Sequence, residues 1–273
     1  MQNTRTSMTE KEIIEKMVDE FVCDLGCPCN CCLESAGGIM LDGEYEKYKK
    51  YDGKKLVDGT VFNLKEMVEE TEDGLRFKQD KNGVCILVKD GRCLFQSTFG
   101  RNVLHYECRE YPRWTMHYKS HVEKMLSPVC PHVTELFLKD NLYFWDYMTQ
   151  VIEPDPDNLF EERRQIIMVL RDENTALSDA LALLCSRYGI DHTCSAGISL
   201  SKEIEDILRH QLACTFFCEL LQKGYDREYF EYTVPYCLSS GIKIYDYLCD
   251  IENLNRNNIA VHFNKACYNA IRK

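Results

Sequence analysis

The sequence predicts an α+β chain, predominantly helical. A thiol-rich metal-binding half with short hairpins (residues 1–150) precedes an all-helical half (151–273). Two observations carry this. Nine of the sixteen cysteines fall between Cys23 and Cys130, among Gly- and Asn-punctuated extended runs. After Asn141 the pattern changes to apolar residues at helical spacing.

The first element is a helix. Thr9 followed by Glu12 fits a capping box, and Ile13, Ile14, Met17, Val18 and Phe21 recur on one face. Gly26 and Pro28 place its end near Cys23. Residues 23 to 38 then form a thiol loop closed by Gly37-Gly38. A short surface helix is expected between Gly43 and Gly53, and another from Val61 to Glu70. Leu75–Phe77 and Val84–Val88 flank Asp80-Lys81-Asn82-Gly83, the signature of a tight hairpin. Lys89-Asp90-Gly91 makes a second turn into Cys93, so Cys85 and Cys93 flank one turn and can face the same point. Pro131 behind Cys130 starts a helix through Val133, Leu136, Phe137 and Leu138.

Glu153-Pro154-Asp155-Pro156-Asp157 reads as a linker or helix start. Helices are expected over Leu159–Asp172, Ala176–Tyr188 and Ile198–Gln222. Tyr229–Leu248 reads as one broken helix or two, split at Ser239-Ser240-Gly241, and Ile251–Ile271 closes the chain.

Composition limits the function. The chain has 273 residues, enough for a sizeable core. No run of about 18 apolar residues suggests a membrane span. Met1–Glu20 is charged throughout, unlike a secretory signal. A cytoplasmic location is therefore expected, where thiols serve as ligands or buried apolar groups rather than disulfides. A net charge of −11 argues against nucleic acid as a partner. It suits a basic protein substrate.

The thiols are ordered. Cys27-x3-Cys31-Cys32 is followed by Cys85, Gly91-Arg92-Cys93, Cys108-Arg109-Glu110-Tyr111-Pro112-Arg113 and Cys130-Pro131. Thiolates gathered from separate segments are the usual ligands of iron–sulfur clusters and structural zinc. The pool exceeds the four that one site needs, and Cys23 and Cys29 stand outside the ordered pattern.

This arrangement resembles the flagellin lysine-N-methylase family, related to a wider group of cysteine-cluster zinc- or iron-chelating proteins. The resemblance covers roughly residues 20 to 138. Departures are Ile86 where proline is usual, a turn shorter by one residue, and two extra residues between Ser127 and Cys130. It implies an iron–sulfur cluster of the 4Fe-4S type, with zinc as the alternative metal. Cys27, Cys31, Cys32, Cys85, Cys93, Cys108 and Cys130 form the ligand pool, and Tyr111 and Arg113 the cofactor-binding pair. It also implies methyl transfer from S-adenosylmethionine to lysine side chains of a protein such as flagellin; the alternatives are a non-catalytic zinc- or iron-binding module that uses the same thiols, and an enzyme of the same scaffold that modifies another peptide or protein. Neither a Gly-rich dinucleotide-type turn nor the Cys-x3-Cys-x2-Cys spacing of radical enzymes is present.

Plainer readings stand beside these. Arg113 can instead only fix the ligand loop it follows, by capping carbonyls there. Arg109 can donate to a ligand sulfur or form a surface ion pair. His105, His117, His121 and His132 are candidate ligands or bases, each more simply a packed or solvated histidine. Tyr106, Glu107, Glu110 and Tyr111 are candidate groups to deprotonate a lysine. Cys214 and Cys218 lie one turn apart, but with Cys185, Cys194, Cys237, Cys249 and Cys267 they read better as buried thiols. Tyr143, Phe144, Trp145 and Tyr147 can cradle a methylated ammonium, though packing is the commoner use of such a run. The catalytic residue is not legible.

Overall fold

The computed structural model describes residues 8–23, 39–72, 74–81, 84–191, 200–223 and 226–271. Mixed α+β, mostly helical structure with short antiparallel hairpins is observed, as expected. The compact units part elsewhere than at residue 150. One is Cys23–Tyr111; the other joins Met1–Val22 to Pro112–Lys273. The reason is that α1 (Glu10–Glu20) packs on the hairpin after Pro112, and that hairpin packs on the long helix Lys202–Lys223.

Helix α1 begins with the predicted capping box: Thr9 Oγ1 accepts from Glu12 N, and Glu12 accepts from Thr9 N at 2.8 Å. Ile14 and Val18 are its buried positions. It ends at Glu20, slightly before Cys23.

In the Cys23–Tyr111 unit, α2 (Glu44–Lys49) follows Gly43, whose φ of 81° suits glycine. This helix is not purely a surface one, because Glu44 and Tyr48 are buried. The predicted helix over Val61–Glu70 shrinks to one turn, α3 (Leu64–Met67), capped by Asn63. The chain then becomes β1 (Val68–Thr71), paired antiparallel with β2 (Gly74–Phe77). Leu75–Phe77 therefore pairs backwards, not with Val84–Val88. Either side of the expected turn, Asp80 N donates to Val84 O and Ile86 N to Lys78 O. Asn82 and Gly83 lie outside the described residues. The second turn joins β3 (Val88–Lys89) to β4 (Arg92–Cys93), with Asp90 and Gly91 both at positive φ, as a type I′ hairpin requires. Helices α4 (Leu94–Phe99) and α5 (Tyr106–Glu110) complete the unit. Its core is aromatic. The Phe95 ring lies 5.4 Å from Tyr48, 5.2 Å from Tyr51 and 4.9 Å from both Phe62 and Phe99.

The other unit continues with the hairpin β5 (Arg113–His117) and β6 (Val122–Leu126), registered from Arg113↔Leu126 to His117↔Val122. Helix α6 (Pro131–Lys139) starts on Pro131 with Cys130 as its N-cap residue, as predicted. Helix α7 (Trp145–Met148) is short. Glu153–Asp157 is a helix start rather than a linker: the Asp155 carboxylate accepts from Phe160 N and Glu161 N, at the head of α8 (Leu159–Arg171). Helices α9 (Leu177–Arg187) and α10 (Lys202–Lys223) follow.

Helix α11 (Arg227–Cys249) is unbroken, running through Pro235 and past Ser239-Ser240-Gly241. Packing overrides the local punctuation, because Val234, Leu238, Ile242 and Tyr245 are all buried along it. A methyl group on Gly241 would meet Leu181 at 3.5 Å and Leu212 at 3.7 Å, ordinary contact distances. Gly241→Ala should therefore stabilise the protein by about 0.5–1 kcal/mol, since glycine is the poorer residue inside a helix. An upward shift of the urea midpoint checks this. Helix α12 (Ile259–Ile271) starts later than expected. Asn258 Oδ1 accepts from Asn255 N at 2.8 Å, and Asn253 lies at positive φ, so asparagine side chains hold the preceding segment in turns.

Among the described residues, no helix is long and apolar enough to cross a membrane.

Candidate metal centre

Cys27, Cys31 and Cys32, with Cys29, lie outside the described residues. The other expected ligands divide between the two units. Cys85, Cys93 and Cys108 belong to Cys23–Tyr111, and Cys130 to the helical unit.

The hairpin brings Cys85 and Cys93 together. Cys85 bridges Gln79, and its carbonyl accepts from Val88 N at 2.9 Å. Val88 is in turn the register partner of Cys93. Both thiols pack against the aromatic core. Burial pushes the Cys85 thiol up to about 11; N–H of Leu87 opposes this, and the nearby charge of Cys93 adds to it. Burial also raises Cys93, offset by the N–H groups of Gln96 and Phe95. Its sulfur accepts from Gln96 N at 3.4 Å, capping α4.

Cys108 is exposed on α5. Its sulfur lies 2.9 Å from Nε2 of His105, the residue just before that helix. His105 is only 2 % exposed, and its Nδ1 is buried without a hydrogen-bond partner. Burial lowers its basicity; Glu44 raises it and Arg109 lowers it further. Glu44, which sequence reasoning missed, is buried and accepts from Leu41 N at 2.9 Å and Tyr106 N at 2.8 Å, tying α2 to α5. No local pattern marks it; only the fold joins positions so far apart in sequence. Glu107, one of the candidate bases, has its carboxyl raised by burial and by Glu44.

Among the described residues no group of three or more histidine, cysteine or acidic side chains is arranged to hold a metal ion. The expected thiols described in Cys23–Tyr111 are the pair Cys85 and Cys93, and Cys108 with His105 against its sulfur. Their chemistry suits iron–sulfur or zinc. His105 Nδ1 is a buried polar atom without a hydrogen-bond partner.

The remaining expected site residues are placed by helix ends and turns. The Arg113 guanidinium donates to Val18 O at 2.7 Å and to Phe21 O, and lies over the Phe21 ring. It caps carbonyls at the end of α1 rather than in its own loop. Tyr111 ends α5, with its N–H on Glu107 O. Arg109 pairs with Glu110 at 2.9 Å. Cys130 is buried, and its carbonyl accepts from Val133 N and Thr134 N in the first turn of α6.

The aromatic run packs around a histidine. Tyr143, Phe144 and Trp145 surround His210, with ring centroids at 5.0, 6.0 and 5.4 Å, and Phe144 N donates to His210 Nε2 at 3.1 Å. Cys214 lies against the same imidazole, and Cys214 and Cys218 are buried, as the plainer reading held. Burial holds His210 down to about 3. The unfolded chain binds this proton below pH 6.5 and the folded chain does not. Stability present above pH 6.5 is therefore lost as pH falls toward 3, at about 1.4 kcal/mol per unit. Urea titrations between pH 7 and 4.5 should show this slope, and His210→Phe should flatten it. An apolar cavity of ≈40 Å³ between α8, α9, α10 and α11 is lined by none of the expected ligands.

No family model, curated protein or solved structure matches this chain.

Proposed function

We propose that the chain is an iron–sulfur-cluster-dependent methyltransferase that moves a methyl group from S-adenosylmethionine to lysine side chains of a protein, after the flagellin lysine-N-methylase pattern. The observation that carries the metal part is the hairpin that puts Cys85 and Cys93 together, within the unit that also holds Cys108; Cys27, Cys31 and Cys32 join the pool on the sequence pattern. Cys130 joins the pool on the sequence pattern alone. Methyl transfer and its substrate rest on the resemblance of the ordered thiols.

In that reaction the neutral lysine nitrogen attacks the sulfonium methyl. S-adenosylhomocysteine leaves and the lysine proton passes to a base. Glu107, whose carboxyl is raised, suits the last role best of the four candidates. A resident cluster would supply an iron able to bind and orient the amino-acid end of the methyl donor. The acidic balance of the chain suits a basic protein acceptor.

One observation favours a second reading, a non-catalytic zinc- or iron-binding module. Arg113, one of the two residues expected to hold the methyl donor, is occupied in capping α1. Calorimetric titration of the metal-loaded protein with S-adenosylmethionine separates the two. Stoichiometric binding supports the enzyme; its absence leaves the module.

A further inference from the structure

The imidazole beside Cys108 has no role in the ligand pool as the sequence defines it. Its place is nevertheless specific. His105 leads into α5, three residues before Cys108, and Nε2 meets the sulfur at 2.9 Å. A tetrahedral metal bound to both atoms would hold them about 3.5 Å apart, from metal–sulfur and metal–nitrogen bonds of about 2.3 and 2.0 Å. The observed contact is that of a hydrogen bond rather than of two ligands sharing an ion.

The direction of that bond follows from the other nitrogen. Nδ1 is buried and has no partner. A buried N–H left unpaired is rarer in folded proteins than an unused acceptor. The proton of the neutral ring therefore belongs on Nε2, pointing at sulfur. Arg109, the other candidate donor to this sulfur, is turned to Glu110 and the Tyr106 ring. The ring is fixed from behind by Phe77, with centroids 6.4 Å apart.

We propose that His105 is the positioning residue of the metal centre: it donates Nε2–H to the Cys108 sulfur and fixes that sulfur in direction and charge as a ligand. This rests on the metal reading above. A hydrogen bond to a ligand sulfur withdraws charge from it. It raises the reduction potential of a cluster and tightens the hold on a metal.

The test compares the full-length wild type with His105→Phe, His105→Gln and His105→Asn, each loaded anaerobically with iron and sulfide, or with zinc. Phe keeps a ring and loses the donor. Gln places an amide nitrogen near the position of Nε2, and Asn near that of Nδ1. H105F and H105N should show a midpoint potential below that of the wild type, or zinc affinity weaker by about 10–100-fold. H105Q should restore much of either. If H105F does not fold, the contrast between H105Q and H105N still decides. Four proteins with equal potentials and affinities would overturn the inference alone. A wild type that takes up no metal would overturn the metal reading and this inference with it.

Discussion

Replacing Arg163 by methionine is expected to destabilise the helical unit by about 3–5 kcal/mol. Arg163 on α8 has 0 % of its side chain exposed, and its partner Glu123 on β6 has 3 %. Nη1 donates to both Glu123 oxygens, at 2.9 and 3.1 Å, and Nη2 donates to Gln150 O at 2.7 Å. The guanidinium also lies over the Phe160 and Phe217 rings. Methionine fills much of the volume but leaves the Glu123 carboxylate buried without its cation. That uncompensated charge is the source of the cost. Pairing R163M with Glu123→Leu should recover most of the loss, because a buried ion pair is worth little more than an apolar pair of similar size. Urea denaturation of the two single variants and the double variant checks both statements. An R163M protein within about 1 kcal/mol of wild type would mean that water reaches the pair.

Serine at Cys93 should abolish metal retention, as should serine at Cys85, while serine at Cys185 should not. Cys93 is held by the type I′ turn and caps α4, so serine preserves the fold: its hydroxyl can still accept from Gln96 N. What it loses is the soft, ionisable donor that iron and zinc select. The fall in affinity should exceed the ~10–100-fold expected for loss of an outer partner such as His105. Cys185 is buried in α9, where burial raises its thiol, and it serves as the control for an unrelated cysteine. Metal content after gel filtration, set beside a thermal melt, separates lost binding from lost folding. Full retention by both C85S and C93S would remove the hairpin from the ligand set.

What the sequence made legible was local. Thr9 with Glu12 located a helix start, Pro131 another, and Asp90-Gly91 a tight turn, because each works through neighbours a few residues apart. What it hid was non-local. Ser239-Ser240-Gly241 reads as a break, yet Leu181 and Leu212 from two other helices hold that stretch helical. Val68–Thr71 reads as the end of a helix until Gly74–Phe77 folds back to pair with it. At the candidate site, the pairing of Cys85 with Cys93 was legible from the turn between them. The i, i+3 spacing of His105 and Cys108 was a signal too, but four histidines near the motif diluted it. Burial singles out His105, and burial is set by Phe77 and Glu44, far from it in sequence. Arg113 lies beside the thiols in sequence, while the segment it caps, the end of α1, is 92 to 95 residues away.

The most direct test is anaerobic purification followed by iron, zinc and acid-labile sulfide analysis with an absorption spectrum. The account predicts sulfide matching iron and a brown protein with a broad band near about 400 nm, where thiolate and sulfide donate charge to iron. Stoichiometric zinc without colour or sulfide would contradict the cluster and leave the metal-binding module. A protein that retains neither metal would contradict the central claim, and the ordered thiols would then be explained by packing alone.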